Sequence, residues 1–264
     1  MTTTIVVVAV AFVAGLALNR TLKRRALGED APSLGMQDLV GPLLTLAVLL
    51  LAFVLVMGAG SYGEAEKAAR TEAGAVEQLF EVSGYAARSH REELRSDAVC
   101  YARAINHLEW KAMRDGQRSG AASVWTVKIR NQFSRMTDDP QFGTLVSANK
   151  ERAAARRDRL SQSAPTIPRS LYLFMVLAVS VAVLVLAFCL PFRGGYAQIV
   201  TLFILTGLLT LSLLLIKDLD RPFAGAIKVE STNSMSVTEN DITAIFAEQY
   251  GKKALPCDAD GRPL

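Results

Sequence analysis

The stretch 171-LYLFMVLAVSVAVLVLAFCL-190 runs for twenty residues without one charged side chain. Coiled as a helix it rises about 30 Å, the thickness of a bilayer's hydrocarbon core. A helix packed on an aqueous core keeps a polar stripe toward water, and this one has none. Three further blocks share the pattern: Ile5–Leu18, Leu39–Ala59 and Tyr196–Ile216, none with a charged residue. They account for much of the 51% hydrophobic content. The expected fold is an all-α integral membrane protein with four transmembrane helices at about 3–19, 39–59, 171–190 and 196–216, and a helical extramembrane bundle between the second and third.

The first block is the shortest. A secretory signal places basic residues before its apolar run, whereas here Arg20, Lys23, Arg24 and Arg25 follow it. It is therefore read as a retained membrane helix. Pro191-Phe192-Arg193-Gly194-Gly195 joins the third and fourth blocks and requires an antiparallel hairpin. The chain thus divides into 1–59, a first membrane pair; 60–170, an extramembrane section; 171–216, a membrane hairpin; and 217–264, a turn and tail.

The section 60–170 is dense in both charge signs but has helical apolar spacing. Leu94, Ala98, Tyr101, Ile105, Leu108 and Ala112 alternate steps of four and three, which forms one seam. Trp125, Ile129, Phe133 and Met136 form a second. Asp138-Asp139-Pro140 breaks the pattern, and a further helix is expected from Phe142 to Leu160. The helix opening at Tyr62 is expected to continue the second span into water as a stalk, with Gly58-Ala59-Gly60 a candidate kink.

Catalytic chemistry finds no foothold. The two histidines, His90 and His107, lack metal-ligand spacing. There is no phosphate-binding Gly-rich loop and no nucleophile elbow. Glu92-Glu93 and Asp138-Asp139 are adjacent pairs whose members point apart, as solvated carboxylates do. No catalytic, cofactor or metal site is expected, and the chain is not expected to be an enzyme. Cys100, Cys189 and Cys257 are too scattered to suggest a disulfide framework, and read as small apolar residues. A net charge of +4 does not point to nucleic acid. The spans carry hydroxyls and one amide (Thr45, Ser180, Gln198, Thr201, Thr206, Thr210 and Ser212) but no ionisable group. Thr206 and Thr210 share a face of the fourth span, which serves either helix packing or the lining of a pore.

In 218-DLDRPFAG-225, Pro222 ends the fourth helix near Leu219 or Asp220. Lys217 and Arg221 suit the helix's negative end and the headgroup zone. Asp218 and Asp220 are expected to pair locally or bond the turn, Phe223 to re-enter the apolar boundary, and Gly225 to let the chain reverse into an extended piece over 226–229. The alternative role is a charged ring of Asp218 or Arg221 around a pore mouth. With four spans, the termini and the long section share a side. Eleven basic residues flank the membrane on that side and five on the other, which favours a cytoplasmic bulk, while the short basic first loop argues the reverse.

Four stretches combine into a resemblance. They are 61-SYGEAEKAARTEAGAV-76, 101-YARAINHLEWKAMRDGQ-117 with its Tyr101–Trp110 spacing and Gly116, 156-RRDRLSQSAPTIPRSLY-172, and 218-DLDRPFAG-225. Together they are similar to the bestrophin-like family of bacterial membrane proteins, across about residues 1–230. The Leu219-Asp220-Arg221-Pro222-Phe223-x-Gly225 element is the most specific piece. The resemblance implies a bacterial inner-membrane location, kinship with pentameric anion channels, and a cytosolic helical section between spans two and three. It also implies an aromatic pore constriction on the second span, where this chain offers only Phe53. A homo-oligomer in the lipid bilayer is therefore the expected state. The alternative is a non-conducting scaffold or sensor whose Glu64–Leu160 helices bind a protein partner.

Overall fold

The computed structural model describes residues 2–26, 36–117, 119–189, 196–251 and 255–264. The four uncharged blocks become α1 (Thr2–Ala26), α2 (Met36–Ser83), α7 (Arg169–Cys189) and α8 (Tyr196–Leu219). Each is long and apolar enough to cross a membrane. Between them lie α3 (Arg88–Arg103), α4 (Trp110–Arg114), α5 (Ala121–Phe133) and α6 (Phe142–Ser161), and α9 (Met235–Tyr250) follows. No strand occurs among the described residues beyond one isolated bridge between Cys257 and Pro263. The hairpin loop 191–195 lies outside the described residues.

The chain divides into two units. One comprises 1–60 and 166–220, the other 61–165 and 221–264. In the membrane unit, Val8, Leu51, Val54, Met175, Val179, Val183, Leu209 and Leu213 form one core. The α1 helix runs parallel to α7. Thr4 bonds Tyr172 at one end (3.0 Å) and the Asn19 amide donates to the Ala187 carbonyl at the other (3.1 Å). Gly15 makes the approach possible, since a Cβ there would lie 2.6 Å from that of Ala187. Most remaining side chains of the spans face outward, as lipid-exposed helices do.

α2 is one continuous helix through Gly58 and Gly60. Nearly half of it, from Ser61 on, belongs to the second unit, with Ala65, Ala69, Ala73 and Val76 buried. The expected stripe of Trp125, Ile129, Phe133 and Met136 is buried throughout, and α6 spans the expected residues. The first seam holds from Leu94 to Ile105 and then fails. Residues Ala104–Glu109 form a π-helical segment, whose wider turn inserts one residue and rotates the buried face. Beyond it Glu109, Trp110 and Met113 are buried, while Leu108 and Ala112 are only partly so.

Residues 221–264 are not a separate tail. α9 buries Met235, Ile242 and Phe246 in the same core as α3. The cysteine reading is also corrected, because Cys100 and Cys257, 157 residues apart, form a disulfide, leaving Cys189 free. Spacing along the chain carried no signal for a bond that only tertiary packing creates.

Candidate functional site

The turn after α8 is built from both units, each within itself. In the membrane unit α8 ends at Leu219, as Pro222 requires. The segment entering α7 contains Pro165 and Pro168, which cannot donate. The intervening amides of Thr166 and Ile167 both donate to Asp220 Oδ1, at 2.9 and 2.8 Å. Asp220 therefore answers the backbone's need at a place where no helix can. Asp218 is buried, 7% exposed, which disfavours it as a solvent-facing ring. Lys217 Nζ lies 5.6 Å from the centre of the Tyr172 ring.

In the helical unit Arg221 is exposed. Its carbonyl accepts from Ala224 and Gly225 at 3.0 Å, and the Pro222 carbonyl accepts from Val229 at 2.7 Å. Gly225 makes this reversal without a left-handed backbone. Phe223 does not return to a membrane boundary. It is 3% exposed and meets Trp110 edge to face at 5.3 Å. An aromatic side chain following a proline turn had an aqueous-side core available, which its sequence context did not reveal.

The pore candidates separate. Phe53 is 65% exposed and lies with Leu46, Leu49 and Val56 on one uncovered face of α2. Thr206 and Thr210 are partly buried on α8. Thr210 donates to the Thr206 carbonyl at 2.7 Å, and Thr201 and Ser212 likewise bond their own helix. That is the packing role for such hydroxyls.

One cluster was missed. Glu72, Glu109 and Arg159 are fully buried in the helical unit. The Arg159 guanidinium donates to Glu72 and, at 2.5 Å, to Glu109, which also accepts from Arg156. The Tyr101 hydroxyl donates to Glu72 at 3.0 Å, and Arg152 stacks over the Tyr101 ring at 4.4 Å. Burial acts to lower the Arg159 pKa, but the two carboxylates outweigh it and raise it. Burial and Glu72 push the Tyr101 phenol up. The signal was present in the sequence: Glu72 interrupts the apolar seam of α2, and Arg152 and Arg159 sit in the α6 seam with Leu145, Ala148 and Ala155. These charges compensate one another, so the cluster clamps α2, α6 and the π segment and holds no free nucleophile. Among the described residues no group of three metal-ligating side chains occurs.

Nearby, Asp97 accepts from the Gln132 amide at 2.6 Å. Burial, reinforced by Glu93 and opposed by Lys128, raises its pKa to about 7. Glu239 of α9 receives Asn106 (2.7 Å) and His107 (3.2 Å) from the π segment. Of the two solvated carboxylate pairs expected, Asp139 is instead a cap, accepting from the Ala87 and Gln141 amides, which lower its pKa.

Residues 5–234 match the family described as the Bestrophin-like domain. The chain belongs to that family. Two variants of a bacterial Bestrophin homolog from Klebsiella pneumoniae superpose with TM-scores of 0.68 and 0.69, at 13% and 14% identity. Each alignment covers 95% of this chain and 98% of the other. A further structure, described as a membrane protein, gives 0.68 at 13% identity over 96% and 100%. At such identity the likeness is one of fold, and it extends over nearly the whole of both chains. A search among curated protein sequences finds no match. The four apolar helices expected from the residues agree with the bestrophin-like fold.

Proposed function

We propose that this bestrophin-like chain assembles into a ring, a pentamer by family resemblance, around an axial ion path in the bacterial plasma membrane. The observation that carries the reading is the uncovered face of α2. Leu46, Leu49, Phe53 and Val56 follow one another at helical spacing and are each more than 60% exposed. In a ring, this face would line the axis, with Phe53 as the widest side chain. A ring of phenylalanines gates by dewetting and conducts when it hydrates. Because Thr201, Thr210 and Ser212 bond their own backbone and Thr206 is only partly exposed, α8 is the weaker candidate for the lining. At the mouth, the exposed Arg221 suits a ring of fixed positive charge, which favours anions; buried Asp218 does not.

The competing reading is a non-conducting scaffold. Val237 on α9 and Val127 on α5 are exposed in the helical unit, and a protein partner would cover them. Conductance separates the two. Phe53→Ala should raise single-channel conductance of purified protein in planar bilayers, and Arg221→Glu should shift reversal potential toward cations. If neither variant alters wild-type currents, these residues do not form the ion path.

A further inference from the structure

We propose that the helical unit faces the oxidising, extracytoplasmic side of the membrane, with Cys100–Cys257 as a permanent staple. The argument begins with the seat of the bond. Cys100 is fully buried and Cys257 5% exposed. The segment carrying Cys257 is docked by several contacts besides sulfur. The Trp125 indole donates to the Gly261 carbonyl at 2.7 Å, and Arg103 donates to the Asp258 carbonyl at 3.3 Å. Asp258 Oδ1 accepts from the Asp260 and Arg262 amides, which closes the loop. Gly261 has φ +82°, and a Cβ there would fall 2.3 Å from the Ala104 nitrogen. Only glycine fits this close approach.

A disulfide buried under such a strap is shielded from attacking thiolates, so it does not serve as a readily reversible switch. Bonds of that kind persist where thiols are oxidised and are rare in a reducing cytosol. The bond would form by exchange with a protein disulfide donor. One cysteine thiolate attacks the donor disulfide, the second displaces it, and the donor leaves as a dithiol.

Charge placement argues less strongly for a cytoplasmic unit once the structure is taken into account. Three of the eleven basic residues that favoured a cytoplasmic bulk are Arg152, Arg156 and Arg159. Arg152 and Arg159 are buried, and Arg156 and Arg159 are committed to Glu72 and Glu109. They are not headgroup charges. In a section as long as 61–165 only the basic residues within about 15–20 positions of a span end bear on orientation. Eight of the eleven still stand against five, so the count alone does not place the unit outside; the disulfide does, and the short first loop agrees with it. The loop's Arg20, Lys23, Arg24 and Arg25 follow directly on the first span. α1 is parallel to α7, so these residues fall at the end of the membrane unit away from the start of α7. A cytoplasmic first loop puts residues 61–165 and both termini outside.

The test uses fusions at Leu264, which is 86% exposed. Alkaline phosphatase, active only where its disulfides form, should be active, and green fluorescent protein should be dark. On the untagged chain, cells are acid-quenched, free thiols blocked, the protein reduced, and new thiols tagged with a maleimide of added mass. Two tags are expected in wild type and none in Cys257→Ala. Fluorescent fusions with inactive phosphatase, or free Cys100 and Cys257 thiols in unstressed cells, would overturn the placement. So would a disulfide found together with a fluorescent fusion. None of these readouts depends on conductance.

Discussion

Replacing Arg159 by methionine removes the cation from the best-buried cluster in the helical unit while keeping most of its volume. Glu72 would retain only the Tyr101 hydroxyl, and Glu109 only Arg156. Leaving buried carboxylates uncompensated costs about 3–5 kcal/mol. For a unit of this size each kcal/mol corresponds to about 2–4 °C in Tm, so a fall of roughly 10 °C or more is expected. The double variant Arg159→Met, Glu72→Gln leaves Glu109 paired with Arg156 and no buried carboxylate uncompensated, and should recover most of that loss. Both tryptophans, Trp110 and Trp125, lie in the helical unit, so their emission during a thermal scan in detergent reports this unit directly. Scans must share one heating rate, because membrane proteins seldom unfold reversibly. A single variant melting within 2 °C of wild type, or a double variant no better than the single, would refute the clamp.

Three further outcomes follow from the same structure. Asp97 titrates near 7 in the fold against an ordinary 3.8, so its favourable contribution is present below about pH 4 and is lost as pH rises to about 7. The helical unit should therefore lose up to about 1.4 kcal/mol per pH unit across that window, and Asp97→Asn should flatten the profile in pH-dependent melting. Asp220→Ala strands two backbone amides at the entry to α7 and should cost about 1–3 kcal/mol, with Asp220→Asn milder; the half-life of folded protein in detergent on warming measures both. Ile105→Asp should destabilise the unit far more than Leu108→Asp, since the π segment turns Leu108 partly outward; equal Tm values for the two would contradict that rotation.

The spans were legible in the sequence because hydrocarbon tolerates no charge, so the absence of charge alone locates them. The stripe through Trp125, Ile129, Phe133 and Met136 was legible because α5 is regular. The seam through Leu108 failed where regularity did, at a π turn that leaves no mark in apolar spacing. Arg152 and Arg159 count by sequence among the basic residues flanking the membrane, because charge usually means solvent; their seam positions, and that of Glu72, carried the contrary signal. The disulfide and the docking of α9 join residues far apart in the chain, and no local pattern encodes such pairs. Within the 218–225 turn, Pro222 showed where the helix stops, but not that Asp220 serves the α7 entry or that Phe223 packs on Trp110.

The claim that this chain forms a conducting ring is tested most directly by reconstituting the purified, folded protein in planar bilayers under a salt gradient, with empty membranes as control. The account predicts discrete currents that reverse on the anion side, grow in Phe53→Ala, and shift toward cations in Arg221→Glu, most strongly at low salt where screening is weak. Folded wild-type protein that passes no current above control across voltage and pH, in both variants as well, would contradict it.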